Sequence, residues 1–160
     1  MFSCDNVYPA DPAELYPLVK QQLKALVAGV PYPVANLANA SALLNQALAD
    51  INWVGCYLRQ GDKLVLGPFQ GKTACIEIPY GRGVCGTAAA KDETQLVMDV
   101  HEFPGHIACD SASNSEIVIP LHKDGAVAAV LDIDSPTTGR FTEADKAGLE
   151  SLVPILESIL

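Results

Sequence analysis

Apolar positions recur at helical spacing in two stretches before residue 50. Leu15, Leu18, Val19, Leu23, Leu26, Val27 and Val30 fall three or four apart, which lines them along one face of an α-helix. Asp11-Pro12-Ala13-Glu14 supplies a start, with Asp as cap, Pro in the first helical position and Glu three residues after the cap. Pro17 offers a second start, because proline inside a helix removes a backbone donor. Pro31-Tyr32-Pro33 breaks the pattern, and Leu37, Ala40, Leu44 and Leu48 then share one face of a second helix. From residue 51 the period shortens. Ile51–Leu58, Lys63–Leu66 and Ala74–Ile78 predict strands, with Gln60-Gly61-Asp62 turning the first two into a hairpin. Gly81-Arg82-Gly83-Val84-Cys85-Gly86 is a glycine-rich turn that opens a short helix through Ala90, and Leu96–Met98 is a brief strand. Asp99–Ser115 has no clean period and contains Pro104 and Gly105; such a stretch inside a compact domain is functional or disordered. Glu116–Leu121 and Ala126–Ile133 are stronger strands turned by Lys123-Asp124-Gly125, and Thr142 caps a final helix carrying Leu149, Leu152, Val153, Leu156 and Ile159.

The predicted order is α-α-β-β-β-α-β-β-β-α. Consecutive strands on tight turns imply an α/β (α+β) fold: a largely antiparallel sheet, helices on one face and a loop-covered pocket on the other. No repeat or polar linker divides the chain, so one domain over residues 1–160 is expected. With 49% hydrophobic and 18% charged residues, there is material for a sizeable core. No apolar run has membrane-spanning length, and the amino terminus lacks the basic-then-apolar pattern of a secretory signal. A cytoplasmic protein is the expectation. The formal net charge of −9 argues against nucleic acid and anionic membranes as partners, since both recruit basic surfaces.

Five cysteines are present: Cys4, Cys56, Cys75, Cys85 and Cys109. None forms a C-x-x-C pair, and a reducing compartment disfavours a structural disulfide framework. Buried apolar thiols are the default for each. Cys75 opens a predicted strand, Cys85 lies at a helix amino end, and Cys109 lies in the aperiodic segment. Three thiols on such segments could meet, and dithiol chemistry needs a nucleophile and a resolver. The helix amino end is expected to lower the pKa of Cys85.

Asp132 and Asp134 alternate in Val130-Leu131-Asp132-Ile133-Asp134, so both point to one face of the strand. Glu116 begins the neighbouring strand. Carboxylates facing one another in a cleft raise at least one pKa and leave a proton to donate. A solvated sheet face, or Asp134 capping the turn into Ser135-Pro136, explains the same pattern. Trp53 alternates with Gly55 and Tyr57, as core packing or as an aromatic wall for a methyl group or cation. His101, His106 and Cys109 lack the spacing of known zinc sites, so no metal is expected. The Gly81–Gly86 turn lacks the Gly-Lys-Ser/Thr ending of a phosphate loop.

Several segments together resemble the free methionine-(R)-sulfoxide reductases. They are Leu64–Gly71 (LVLGPFQG), Gly81–Ala88 (GRGVCGTA), Gly105–Asp110 (GHIACD), Ser113–Val118 (SNSEIV) and Val130–Ser135 (VLDIDS), with Asn36–Leu44 and Asp50–Trp53 upstream. The resemblance runs from about residue 30 to the end and implies a GAF-like fold. It implies reduction of free L-methionine-(R)-sulfoxide to methionine, with no metal or organic cofactor. Cys109 matches the nucleophile, Cys75 the resolving cysteine and Cys85 the third of the set, although attack is assigned to different thiols among family members. Glu116, Asp132 and Asp134 match acidic pocket residues, Trp53 matches the pocket tryptophan, and Tyr57 is its neighbour. Cys56 stands where the family pattern usually has an aromatic residue. Cys4 has no matching role.

The implied chemistry is thiolate attack on the sulfoxide sulfur, proton delivery by a carboxylic acid, and a sulfenic acid that condenses with a second thiol. Thioredoxin is the implied reductant, and a homodimer the implied assembly. The competing reading is a non-catalytic GAF-type module that senses a small ligand or redox state. No output domain is evident in the 160 residues, which favours the enzyme.

Overall fold

The computed structural model describes residues 7–107 and 109–160; Cys4 lies outside them. Two helices, α1 (Pro12–Val27) and α2 (Pro33–Ala47), precede strands β1 (Trp53–Gln60), β2 (Lys63–Gly71) and β3 (Glu77–Pro79). Helix α3 (Gly83–Lys91), β4 (Gln95–Val97), β5 (Ser115–Lys123), β6 (Ala126–Ser135), α4 (Glu143–Glu150) and α5 (Val153–Glu157) follow. The strands form one six-stranded sheet in the order β3-β2-β1-β6-β5-β4. Every neighbouring pair is antiparallel.

Alternation along the central strands divides the core. Val54, Cys56, Ile117, Ile119, Leu131 and Ile133 face one way and pack against α1, α2, α4 and α5. Trp53, Tyr57, Val118 and Val130 face the other way, where α3 meets them through Val84, Cys85, Ala88 and Ala89. The expected division into a helix face and a pocket face holds, with α3 added as a wall on the pocket side. Among the described residues, no helix is long and apolar enough to cross a membrane.

Several expected boundaries move for local reasons. Helix α1 begins at Pro12 with Asp11 as cap and runs through Pro17, so the later start is not used. Pro17 forfeits only the bond to Ala13, near the helix start, where a lost bond costs least. Strand β2 continues past Leu66 to Gly71, whereas β3 begins only at Glu77. Cys75 therefore lies in the connection before β3 rather than opening a strand. The final helix divides at Ser151-Leu152, because Pro154 cannot bond the Glu150 carbonyl and takes an early position of α5 instead.

Helix α1 crosses α4 at Gly148, where an added Cβ would lie 2.1 Å from Tyr16 Cδ2. Tyr16 has little freedom to retreat. Its hydroxyl donates to Asp145 Oδ1 at 2.7 Å, and Asp145 completes a capping box with Thr142. Gly148→Ala is expected to destabilise the fold by about 1–3 kcal/mol. At a chain of this size that lowers Tm by about 2–4 °C per kcal/mol in a circular-dichroism melt. An unchanged melt would mean that the helices separate freely at this crossing.

Candidate active site

The floor of the pocket is set by strand register. Glu116 on β5 stands directly opposite Asp134 on β6, and Asp134 opposite Trp53 on β1. One row further, Val118, Asp132 and Gly55 align. All of these side chains point away from the α1/α2 core, so the two aspartates do not form a solvated face, and Asp134 lines the pocket rather than capping a turn.

Gly55 makes room for the aromatic wall. A Cβ there would lie 2.3 Å from Phe69 Cβ. Without one, Phe69 stacks on Trp53 at 5.1 Å between ring centroids, and Trp53 stacks on Tyr57 at 5.9 Å. The polar tips of the two pocket aromatics reach the 72–76 connection. Trp53 Nε1 donates to the Lys72 carbonyl at 3.1 Å, and the Tyr57 hydroxyl donates to the Cys75 carbonyl at 2.9 Å. Tyr57 thus holds the cysteine loop as well as lining the cavity.

Cys75 is joined to Cys109 by a disulfide, with Cα atoms 5.6 Å apart. The segment carrying Cys109 is anchored next door: Asn52 Nδ2 donates to Asp110 Oδ2 and Ser113 Oγ, each at 3.1 Å. His106, Ile107, Cys109, Asp110 and Ser113 of the aperiodic stretch line the pocket. His101 lies outside the lining and contacts Asn114 Oδ1 at 3.0 Å.

Cys85 is the third residue of α3. Gly86 beside it approaches the Pro79 carbonyl so closely that a Cβ would lie 2.4 Å from the oxygen. The glycine-rich turn therefore packs α3 against the end of β3. Cys85 is only 4% exposed, and its Sγ lies 3.9 Å from Glu116 Oε1. Burial, followed by the charges of Asp132, Glu116 and Asp134, pushes its pKa well up. This corrects the expectation of a thiol activated by the helix amino end: desolvation beside carboxylates outweighs the helix dipole.

The carboxyl groups behave as facing groups in a cleft should. Glu116 and Asp132 are 6% and 5% exposed. Burial raises the pKa of Glu116 well above 4.5, reinforced by the neighbouring Asp132 and by the charge of Asp134. Burial also raises Asp132, although the adjacent Glu116 and Cys85 groups favour its charged form. Asp134 is pushed well up by burial and by the charges of Asp132 and Asp110. Asp132 Oδ1 is buried without a hydrogen-bond partner among the described residues, which marks it as an acceptor available to a ligand.

The GAF domain family matches residues 38–160. The free methionine-R-sulfoxide reductase of Escherichia coli (strain K12) is 56% identical over 147 residues, 92% of this chain and 89% of that protein. The chain belongs to the free methionine-R-sulfoxide reductases. Solved structures agree with this placement. The reduced form of fRMsr of Staphylococcus aureus superposes with a TM-score of 0.88 at 53% identity, covering 91% of this chain and 94% of that one. The free methionine-R-sulfoxide reductase from Neisseria meningitidis in complex with its substrate gives 0.91 at 46% identity, covering 98% and 95%.

The structure brings the residues matched to this reductase family into one pocket: Trp53, Tyr57, Cys85, Cys109, Glu116, Asp132 and Asp134 line it, and Cys75 is bonded to Cys109. Cys56 faces the helix side, where burial first and the Asp132 charge second push its thiol up to about 12. Sequence reasoning missed Asn52, Phe69 and Arg82 as parts of this site. Phe69 was hidden because β2 was expected to stop at Leu66. Asn52 and Arg82 lie inside segments that resemble the family, but the Asp110 and Ser113 partners of Asn52 and the place of Arg82 in the pocket lining appear only in three dimensions.

Proposed function

We propose that the protein reduces free L-methionine-(R)-sulfoxide to L-methionine. One observation carries the mechanism: a Cys75–Cys109 disulfide beside a pocket floored by carboxyl groups with raised pKa. Cys109 is the nucleophile. Its thiolate attacks the sulfoxide sulfur while Glu116, as the carboxylic acid, gives its proton to the sulfoxide oxygen. The protonated oxygen then passes as hydroxyl from the substrate sulfur to the Cys109 sulfur; the substrate sulfur–oxygen bond and the new sulfur–sulfur bond both break, methionine leaves, and Cys109 becomes a sulfenic acid. The Cys75 thiol attacks that sulfur and releases water, giving the disulfide. The two electrons that reduced the sulfoxide thus come from the two thiols. Thioredoxin, a cytoplasmic dithiol, restores both thiols by exchange.

Binding roles follow from chemistry and position. Asp134 and Asp132 take the substrate ammonium, Trp53 packs the S-methyl end, and Arg82, in the pocket lining, takes the carboxylate. A charge-assisted bond to the free ammonium is worth roughly 1.5–3 kcal/mol. N-acetyl-methionine-(R)-sulfoxide is therefore expected to lose at least about tenfold in kcat/KM, and the peptide-internal residue at least as much. Measuring the three substrates with one reductant tests the reading. Comparable kcat/KM values for all three would mean that no group in the pocket reads the free amino acid.

A further inference from the structure

We propose that Cys85, Glu116 and Asp132 form a binding site for one borderline divalent cation of the Zn2+ type. Their ligand atoms, one sulfur and two carboxylate oxygens, all lie within 4.8 Å of one another, and all three residues are buried. Zinc–sulfur and zinc–oxygen bonds of about 2.3 and 2.1 Å place tetrahedral ligand atoms roughly 3.5 Å apart, so the observed spacing needs only side-chain adjustment. The 3.9 Å separation of Cys85 Sγ and Glu116 Oε1 is already close to that edge.

A second observation points to a ligand at the same place. Asp132 Oδ1 has no hydrogen-bond partner among the described residues, and Asp132 is 5% exposed and lines the cavity. The three side chains come from α3, β5 and β6, which fixes their relative positions. A fourth coordination position would open into the pocket, the arrangement of three protein ligands and one exchangeable ligand. Mixed sulfur and oxygen donors select Zn2+, Co2+ or Cd2+ over Mg2+ and Ca2+. The His101, His106 and Cys109 set weighed from the sequence is a different one, and Cys109, held in its disulfide, has no thiolate to offer a metal. Cys85 is free in this oxidised form, so the cation site does not require reduction of the enzyme.

Cation and substrate would compete for Glu116 and Asp132, a consequence that rests on the proposed substrate reading; the binding itself does not. The test therefore uses no substrate. Co2+ is titrated into the full-length oxidised protein, in which Cys75 and Cys109 cannot ligate, and near-ultraviolet thiolate-to-cobalt absorption is recorded. The expected result is a band that saturates at one equivalent, disappears in Cys85→Ser, and in Asp132→Asn requires at least about tenfold more cobalt. Absence of the band in the wild type, its persistence in Cys85→Ser, or unchanged affinity in Asp132→Asn overturns the proposal. Folding of both variants is checked by circular dichroism, and Asp132→Asn, which keeps the thiol, carries the test if Cys85→Ser does not fold.

Discussion

Cys109→Ser is expected to lower kcat/KM for free methionine-(R)-sulfoxide by at least about a thousandfold. A serine hydroxyl in the same place has no ionised fraction to attack sulfur and cannot form a sulfenic acid, so removing the thiol removes the covalent step itself. Cys75→Ser separates attack from resolution. It should release about one methionine per enzyme in a single turnover and then recycle poorly with thioredoxin. Cys56→Ser should stay within a few-fold of wild type, because Cys56 lies on the helix side of the sheet with a thiol pushed up to about 12. Mass spectrometry of the oxidised wild type should show the Cys75–Cys109 link present in the structure. Normal turnover by Cys109→Ser, or a dominant Cys85–Cys109 link, would transfer the nucleophilic or resolving role to Cys85.

Glu116→Gln is expected to move activity and stability in opposite directions. Losing the proton donor should lower kcat by about 10²–10⁴-fold. Stability should rise at neutral and alkaline pH for the reason that makes Glu116 an acid. Its pKa in the folded protein is raised above 4.5, chiefly by burial. Between that ordinary value and the raised one, the folded state holds a proton that the unfolded state has released. Stability therefore falls as pH climbs through this window and is fully retained below it. Asp132 and Asp134 are raised too and contribute with the same sign. Glutamine keeps the shape and has no proton to lose, so the stability profile of the variant should be flatter. Above the window it should exceed wild type by roughly 1–3 kcal/mol, the cost of burying an uncompensated polar group. Denaturant titrations from acid to mildly alkaline pH read this directly. A variant with wild-type turnover would shift proton donation to a neighbouring carboxyl group, and a variant less stable at every pH would contradict the buried acid.

The sequence carried more of the fold than of the site's electrostatics. Helix α1 and the β5–β6 hairpin were legible because apolar spacing and turn residues agree at each. The parity of Asp132 and Asp134 already placed both on one face, but not which face was buried; that depends on β1 lying between β2 and β6. The end of β2 was not legible because Gly67-Pro68 reads as a turn, yet the chain stays paired to β1 through Gly71. The environment of Cys85 is not legible for a different reason. A helix amino end is a local feature visible in sequence, whereas the carboxylates that outweigh it come from strands 31 and more residues away. The anchoring of the Cys109 segment by Asn52 likewise joins residues 58 apart and leaves no periodic trace.

The most direct measurement is a stereochemically resolved assay on free methionine sulfoxide with dithiothreitol as the sole reductant. Multiple turnovers of the (R)-sulfoxide to methionine, with the (S)-sulfoxide left untouched, are expected. Binding of methionine sulfoxide without any turnover of the (R)-isomer would contradict the enzyme reading and leave a ligand-sensing GAF module in its place.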